Sequence, residues 1–102
     1  MLSLAKPPDA VFCGSDVMAI AAMAAIEEAG LRIPDDVAVV GFDDIEYAGL
    51  VTPTLTTVRQ DQAKMADAIM EATLHLLDHP NDAPTVSVLP VELVVRESSA
   101  PR

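Results

Sequence analysis

Val37-Ala38-Val39-Val40-Gly41-Phe42-Asp43-Asp44 is the stretch on which the fold turns. Its first residues are dominated by valine, and a continuous β-branched run of this length predicts a strand buried on both faces. A strand is covered on both sides when helices pack above and below a parallel sheet, so the run points to an α/β protein. The run ends in a glycine, an aromatic and two adjacent carboxylates. In open parallel sheets, ligands sit just beyond the carboxyl ends of the strands. Asp43 and Asp44 stand at such an end.

Composition narrows the class. A chain of 102 residues is one domain or part of one. Its residues are 51% apolar but only 3% aromatic, which predicts an aliphatic core of helices on a sheet rather than a β-sandwich. The net charge of −10 excludes direct contact with nucleic acid or an anionic membrane, since phosphate recognition needs basic residues. Cys13 is the single cysteine, so no internal disulfide forms and a reducing compartment is permitted. The first residues lack the pattern of a signal peptide, and no apolar run approaches the roughly 20 residues of a membrane span.

Outward from the opening stretch, the elements alternate. Residues 1–5 are apolar and read as the last turn of a helix, broken by Pro7-Pro8. Residues 10–13 predict a short strand, stopped at Gly14. Ser15 is placed to cap a helix over residues 16–29, with Asp16 at its positive end and Gly30 closing it. Val17, Met18, Ile20, Met23 and Ile26 are spread around that helix. A helix apolar nearly all round is covered on more than one side, so its outer face is expected to meet another protein, most simply a second copy. After the strand over 37–42, residues 45–50 predict one or two helical turns capped by Asp44. A third strand is expected over 55–59. Asp61 then caps a second helix over 62–77 with Met65, Ile69, Ala72 and Leu76 on one face. Residues 86–89 and 91–95 flank Pro90 and read as short edge strands.

Two strand ends carry polar groups, Gly14-Ser15-Asp16 and Asp43-Asp44, and parallel strands one helix apart set them beside one crevice. Successive strand residues point to opposite sides. Asp43 is therefore assigned to a ligand and Asp44 to the helix cap, with Ser15 adding a hydroxyl and Asp16 serving the helix dipole. A carboxylate suits vicinal hydroxyls or the N–H groups of a base. The same acids have the residue types of a magnesium site for phosphoryl transfer, but the receiver domain of response regulators, which carries such an acidic pair, also needs a phosphate-accepting Asp on another strand end and a late lysine, and no lysine follows Lys64. Cys13 as a nucleophile needs a histidine base, whereas His75 and His79 fall in or after the second helix and read as surface residues. There is no glycine-rich phosphate loop and no metal-spaced Cys/His cluster, so no cofactor or metal is expected.

Five ordered segments carry a resemblance: residues 10–19, 30–37, 40–44, 55–60 and 89–96. Together they resemble the C-terminal part of a lactose-repressor-family (LacI/GalR) transcription regulator, across nearly the whole chain. The resemblance implies a partial type I periplasmic-binding-protein-like subdomain, its mostly parallel sheet flanked by helices, over residues 1–102. It implies a small polar effector, a sugar or nucleobase, bound between two subdomains, with Asp43 and Ser15 as contacts. The family more often has asparagine where Ser15 stands. It also implies a homodimer through Ile20, Ala24, Leu50, Val51 and Leu55, and no enzymatic activity. Operator DNA would be reached only through a helix-turn-helix head outside this sequence, in the cytoplasm. The alternative reading is a fragment of a solute-binding protein of the same fold, serving transport.

Overall fold

The computed structural model describes residues 4–84 and 86–100. Seven elements follow one another. They are β1 (Ala10–Phe12), α1 (Asp16–Glu28), β2 (Ala38–Val40), a 3-10 turn (Glu46–Gly49), β3 (Thr57–Gln60), α2 (Gln62–Asp78) and β4 (Val91–Val94). Leu4 and Ala5 are not helical, and the rest of the helical turn expected before Pro7 lies outside the described residues.

Strands β1 and β2 pair in parallel, with Ala10 opposite Ala38 and Phe12 opposite Val40. Beyond Val40 the other edge of the chain turns to a new partner. Val40 and Thr56 form a parallel bridge, Gly41 N donates to Thr56 O at 2.9 Å, and Asp43 N donates to Val58 O at 2.8 Å. The parallel α/β reading therefore holds, with β2 at Ala38–Val40 shorter than residues 37–42, and the extended run is ended by the positive φ of Asp43 and Asp44. β3 pairs with β4. No strand forms over residues 86–89, where Val86 and Val88 are almost fully exposed. A strand exists only where its backbone finds a partner, and hydropathy alone does not supply one.

Ser15 caps α1 as expected, its hydroxyl accepting from Met18 N at 3.2 Å. Asp16, Ala19, Met23 and Ile26 form the buried stripe at helical spacing. The apolar members of that stripe pack with Ile33, Val37, Val39, Ala48 and Leu55 to make an aliphatic core. Val17 and Met18 on the outer face stay more than half exposed. The helix ends at Glu28, and Gly30 follows with φ of 80°, the left-handed conformation that glycine adopts without cost.

The chain divides into two compact units, one of Met1–Arg59 with Glu92–Arg102 and one of Gln60–Val91. The first holds the core just described. In the second, Asp61 caps α2 by accepting from Lys64 N at 3.0 Å. Met65, Ile69 and Ala72 line a cavity of about 330 Å³ together with Leu89 and Val91. No residue of α2 is buried.

Gly41 is the tightest point of the first unit. A side-chain carbon there would collide with Asp16 Oδ1 and lie 3.1 Å from Leu55 Cδ2 and 3.2 Å from Ala19 Cβ. Gly41→Ala is therefore expected to destabilise the chain by about 2 kcal/mol or more through overpacking. Urea unfolding should show a lower midpoint at unchanged slope.

Candidate functional site

The tips of β1 and β2 are sewn together by backbone bonds. Cys13 N donates to Val40 O at 2.8 Å and Asp16 N donates to Phe42 O at 3.0 Å. Gly14-Ser15-Asp16 and Asp43-Asp44 thus lie side by side, as the sequence predicts. The carboxylates of Asp16 and Asp44 at this tip have different partners.

Asp16 is completely buried. Its Oδ1 accepts from the Thr57 hydroxyl at 2.6 Å and its Oδ2 accepts from Ile45 N at 2.8 Å. The helix-dipole role expected of it is compatible with its place in the first turn, yet it describes only part of what the side chain does. One carboxylate joins the start of α1 to β3 and to the chain leaving β2. Thr57, itself fully buried, was not singled out from sequence; its position in Leu55-Thr56-Thr57 gave no sign that its hydroxyl would meet an acid 41 residues away.

Asp44 does not cap the following turn, contrary to the assignment from sequence. Ile45 occupies the cap position, without any side-chain cap bond. Asp44 takes a positive φ of 56°, which aims its carboxylate elsewhere. Arg59 Nε donates to Asp44 Oδ2 at 2.7 Å, and Arg96 Nη1 lies 2.8 Å from Asp44 Oδ1. Arg96 Nη1 also donates to Leu55 O at 3.0 Å, and Arg59 Nη1 stands 3.8 Å from Glu92. Burial by itself would raise the Asp44 pKa. The hydrogen bonds and charges of Arg59 and Arg96 outweigh that and hold it below the ordinary carboxylate range.

Asp43 remains at the strand tip, half-buried, with a φ of 122°. That backbone conformation is rarely populated by a residue with a side chain and is found where surroundings over-determine it, commonly at ligand sites. Two contacts hold the bend in place: Asp43 N donates to Val58 O, and Asp44 N donates to Thr57 Oγ1 at 3.2 Å. Ser15 is half-buried beside it and accepts from Met18 N, which leaves its O–H proton for another acceptor.

Among the residues expected at a dimer surface, Leu50 is 66% exposed, Ala24 is exposed, and Ile20 and Val51 are half-buried. Leu55 is 0% exposed, so it is a core residue and is withdrawn from that surface. Its side chain packs beneath Gly41, which is why it is not available to a partner. Ser98 is fully buried, donates from Oγ to Val39 O at 2.6 Å and accepts from Thr56 N at 2.8 Å.

The profile of the periplasmic binding protein-like domain matches residues 1–99, and the chain belongs to that family, in the lactose-repressor branch. Several relatives are transcriptional repressors. The chain is 43% identical to the HTH-type transcriptional repressor PurR of Proteus mirabilis, over 98% of this chain and 29% of that protein. It is 42% identical to the probable HTH-type transcriptional repressor ExuR of Bacillus subtilis, over 96% of this chain and 29% of that protein. Among solved structures, a complex of the transcriptional regulator CelR with cellobiose matches with a TM-score of 0.79 at 37% identity, over 89% of this chain and 28% of that one. The chain thus spans less than a third of the length of the curated relatives it matches.

Asp44→Asn is expected to cost about 1–3 kcal/mol at neutral pH, the value of hydrogen bonds to charged groups. The folded-state pKa of Asp44 is depressed, so its contribution is complete above the ordinary aspartate value of about 3.9 and fades as pH falls through the lower folded value. Unfolding curves of the two proteins at a series of pH values should converge in acid.

Proposed function

We propose that this chain is the effector-sensing and dimerising part of a lactose-repressor-type transcription regulator. The observation that carries the reading is the strand tip, where Asp43 is held half-buried at a strained φ of 122°, next to the start of α1. A carboxylate placed this way accepts two hydrogen bonds from a polar ligand such as a sugar or a nucleobase. Cellobiose bound to CelR supports the sugar class. The effector would lie between this wall and a second subdomain. Binding would then shift the balance of two arrangements of the intact protein and alter its hold on operator DNA through a separate head.

Dimerisation is assigned to Ala24 and Leu50, with Ile20 and Val51 at the margin. Their exposed apolar surface continues on Val17, Met18 and Tyr47. The operator-bound lac repressor dimer, which matches with a TM-score of 0.77 at 37% identity over 90% of this chain and 32% of that one, supports a two-fold assembly. The chain is read as a binder and not a catalyst. Burial pushes the Cys13 thiol up, away from the thiolate a nucleophile needs. No helix among the described residues is long and apolar enough to cross a membrane, consistent with a cytoplasmic regulator. A solute-binding protein of the same fold is the competing role, and the family description covers both. A helix-turn-helix head upstream selects the regulator, and an export signal selects transport.

The ligand assignment is tested on a protein containing both subdomains, by thermal shift against sugars and purine bases. One compound should raise the melting temperature, and Asp43→Ala should remove that rise; a rise that survives the substitution takes Asp43 out of the pocket. Leu50→Asp should convert a sedimenting dimer to monomer, whereas an unchanged dimer would place the interface elsewhere.

A further inference from the structure

We propose that the C-terminal end of α2 carries a binding site for a divalent transition metal, formed by His75, His79 and Asp82. The site lies wholly within the second compact unit, apart from the strand tip and the effector reading.

The geometry has three parts. His75 and His79 are four residues apart, so they share one face of the helix end. Their rings stand 4.7 Å apart, 20° from parallel. The chain leaves the helix through His79, whose N–H donates to His75 O at 2.8 Å. It then turns back within three residues, Asp82 N donating to His79 O at 3.1 Å. That reversal returns the Asp82 carboxylate to His75, with Oδ2 2.8 Å from Nε2. One potential ligand atom from each residue lies within 4.8 Å of the others.

These separations are close to what a metal requires. Zinc bonds of about 2.0–2.1 Å in a tetrahedron set ligand atoms roughly 3.4 Å apart. All three side chains are exposed, so rotation can bring their ligand atoms toward that spacing. The His75 and Asp82 side chains are about half exposed, at 53% and 51%, and turn without disturbing a core. A cavity of about 400 Å³ beside them, lined by Glu71, Leu76 and Pro84, leaves room for water as a remaining ligand.

Donor chemistry selects the ion. Two imidazole nitrogens and one carboxylate oxygen suit zinc, nickel or copper, whereas magnesium and calcium demand mostly oxygen ligands. The negative end of the α2 dipole favours a cation at this position, and the chain's net charge of −10 adds to it. The bland reading is a His75–Asp82 pair that merely ties the turn to the helix. It needs no second histidine, whereas the metal site does. The sequence showed no metal spacing because the third ligand comes from the turn and not from the helix.

The test uses the untagged 102-residue chain carrying Cys13→Ser, so that no thiolate competes. Titration with zinc and with nickel should show one site of roughly micromolar affinity, with magnesium silent, and histidine ring resonances should move on zinc addition. His79→Ala should weaken zinc binding at least about tenfold, since losing even an outer partner of a metal site costs that much. Asp82→Asn should weaken it as well, with far-UV circular dichroism confirming an intact fold in each variant. No binding at millimolar zinc, or binding within about twofold of the parent in the His79→Ala variant, overturns the proposal; the second result reduces the cluster to the His75–Asp82 tie.

Discussion

The first unit depends on one buried carboxylate and the two neutral donors that satisfy it. A charged group taken fully out of water is costly unless its oxygens are hydrogen-bonded. Asp16 accepts from the Thr57 hydroxyl and the Ile45 amide, at the positive end of its own helix. Its position explains several others. Gly41 has no side chain because the carboxylate occupies that space. Ala19, one turn further on, is small for the same packing reason. Thr57 rather than valine follows Thr56 because the acid needs a donor there. A helix, two strands and a connecting turn therefore share a single electrostatic anchor.

Asp43 and Asp44 are adjacent and chemically identical, yet they belong to different systems. Asp44 is neutralised by two guanidinium groups from residues far along the chain. Asp43 stays at the half-buried tip. The separation is achieved by the backbone, since both residues take positive φ values and so break the alternation of a regular strand. Neutralising one acid locally lowers the repulsion on the other, which lets a second carboxylate stand at a strand end without disrupting it.

The alternation of elements was legible because it rests on local signals. The valine run, the Ser15 and Asp61 caps and the glycine at the end of α1 each declare themselves within a few residues. The parallel pairing followed from the connection between strands. What was not legible depended on partners distant in sequence. Nothing near Asp44 announces Arg59 and Arg96, so a local capping role was the natural reading. Leu55 looked like a surface residue from its family position, but its burial is set by Gly41 and the approach of β2. Residues 86–89 had strand-like hydropathy and no neighbouring strand. Asp43 is proposed as a ligand contact because a second acid at one strand end has no local capping role.

Ser98 carries a consequence for how this chain folds. Its hydroxyl donates to Val39 O, its backbone oxygen accepts from Val39 N, and its Oγ also accepts from the Thr56 amide. Arg96 reaches back across the same interval to Asp44 and Leu55. One edge of β2 is thus completed by a residue 59 positions further along the chain. Until that contact forms, β1, α1 and β2 have one edge open, and a loop of 59 residues is still to be closed. An unfinished edge beside an aliphatic core is the state most prone to pair with the wrong strand. A chain cut shortly before Arg96 therefore keeps every residue of the aliphatic core but loses the Ser98 bonds to Val39 and Thr56, and that edge is left to pair with whatever strand it meets.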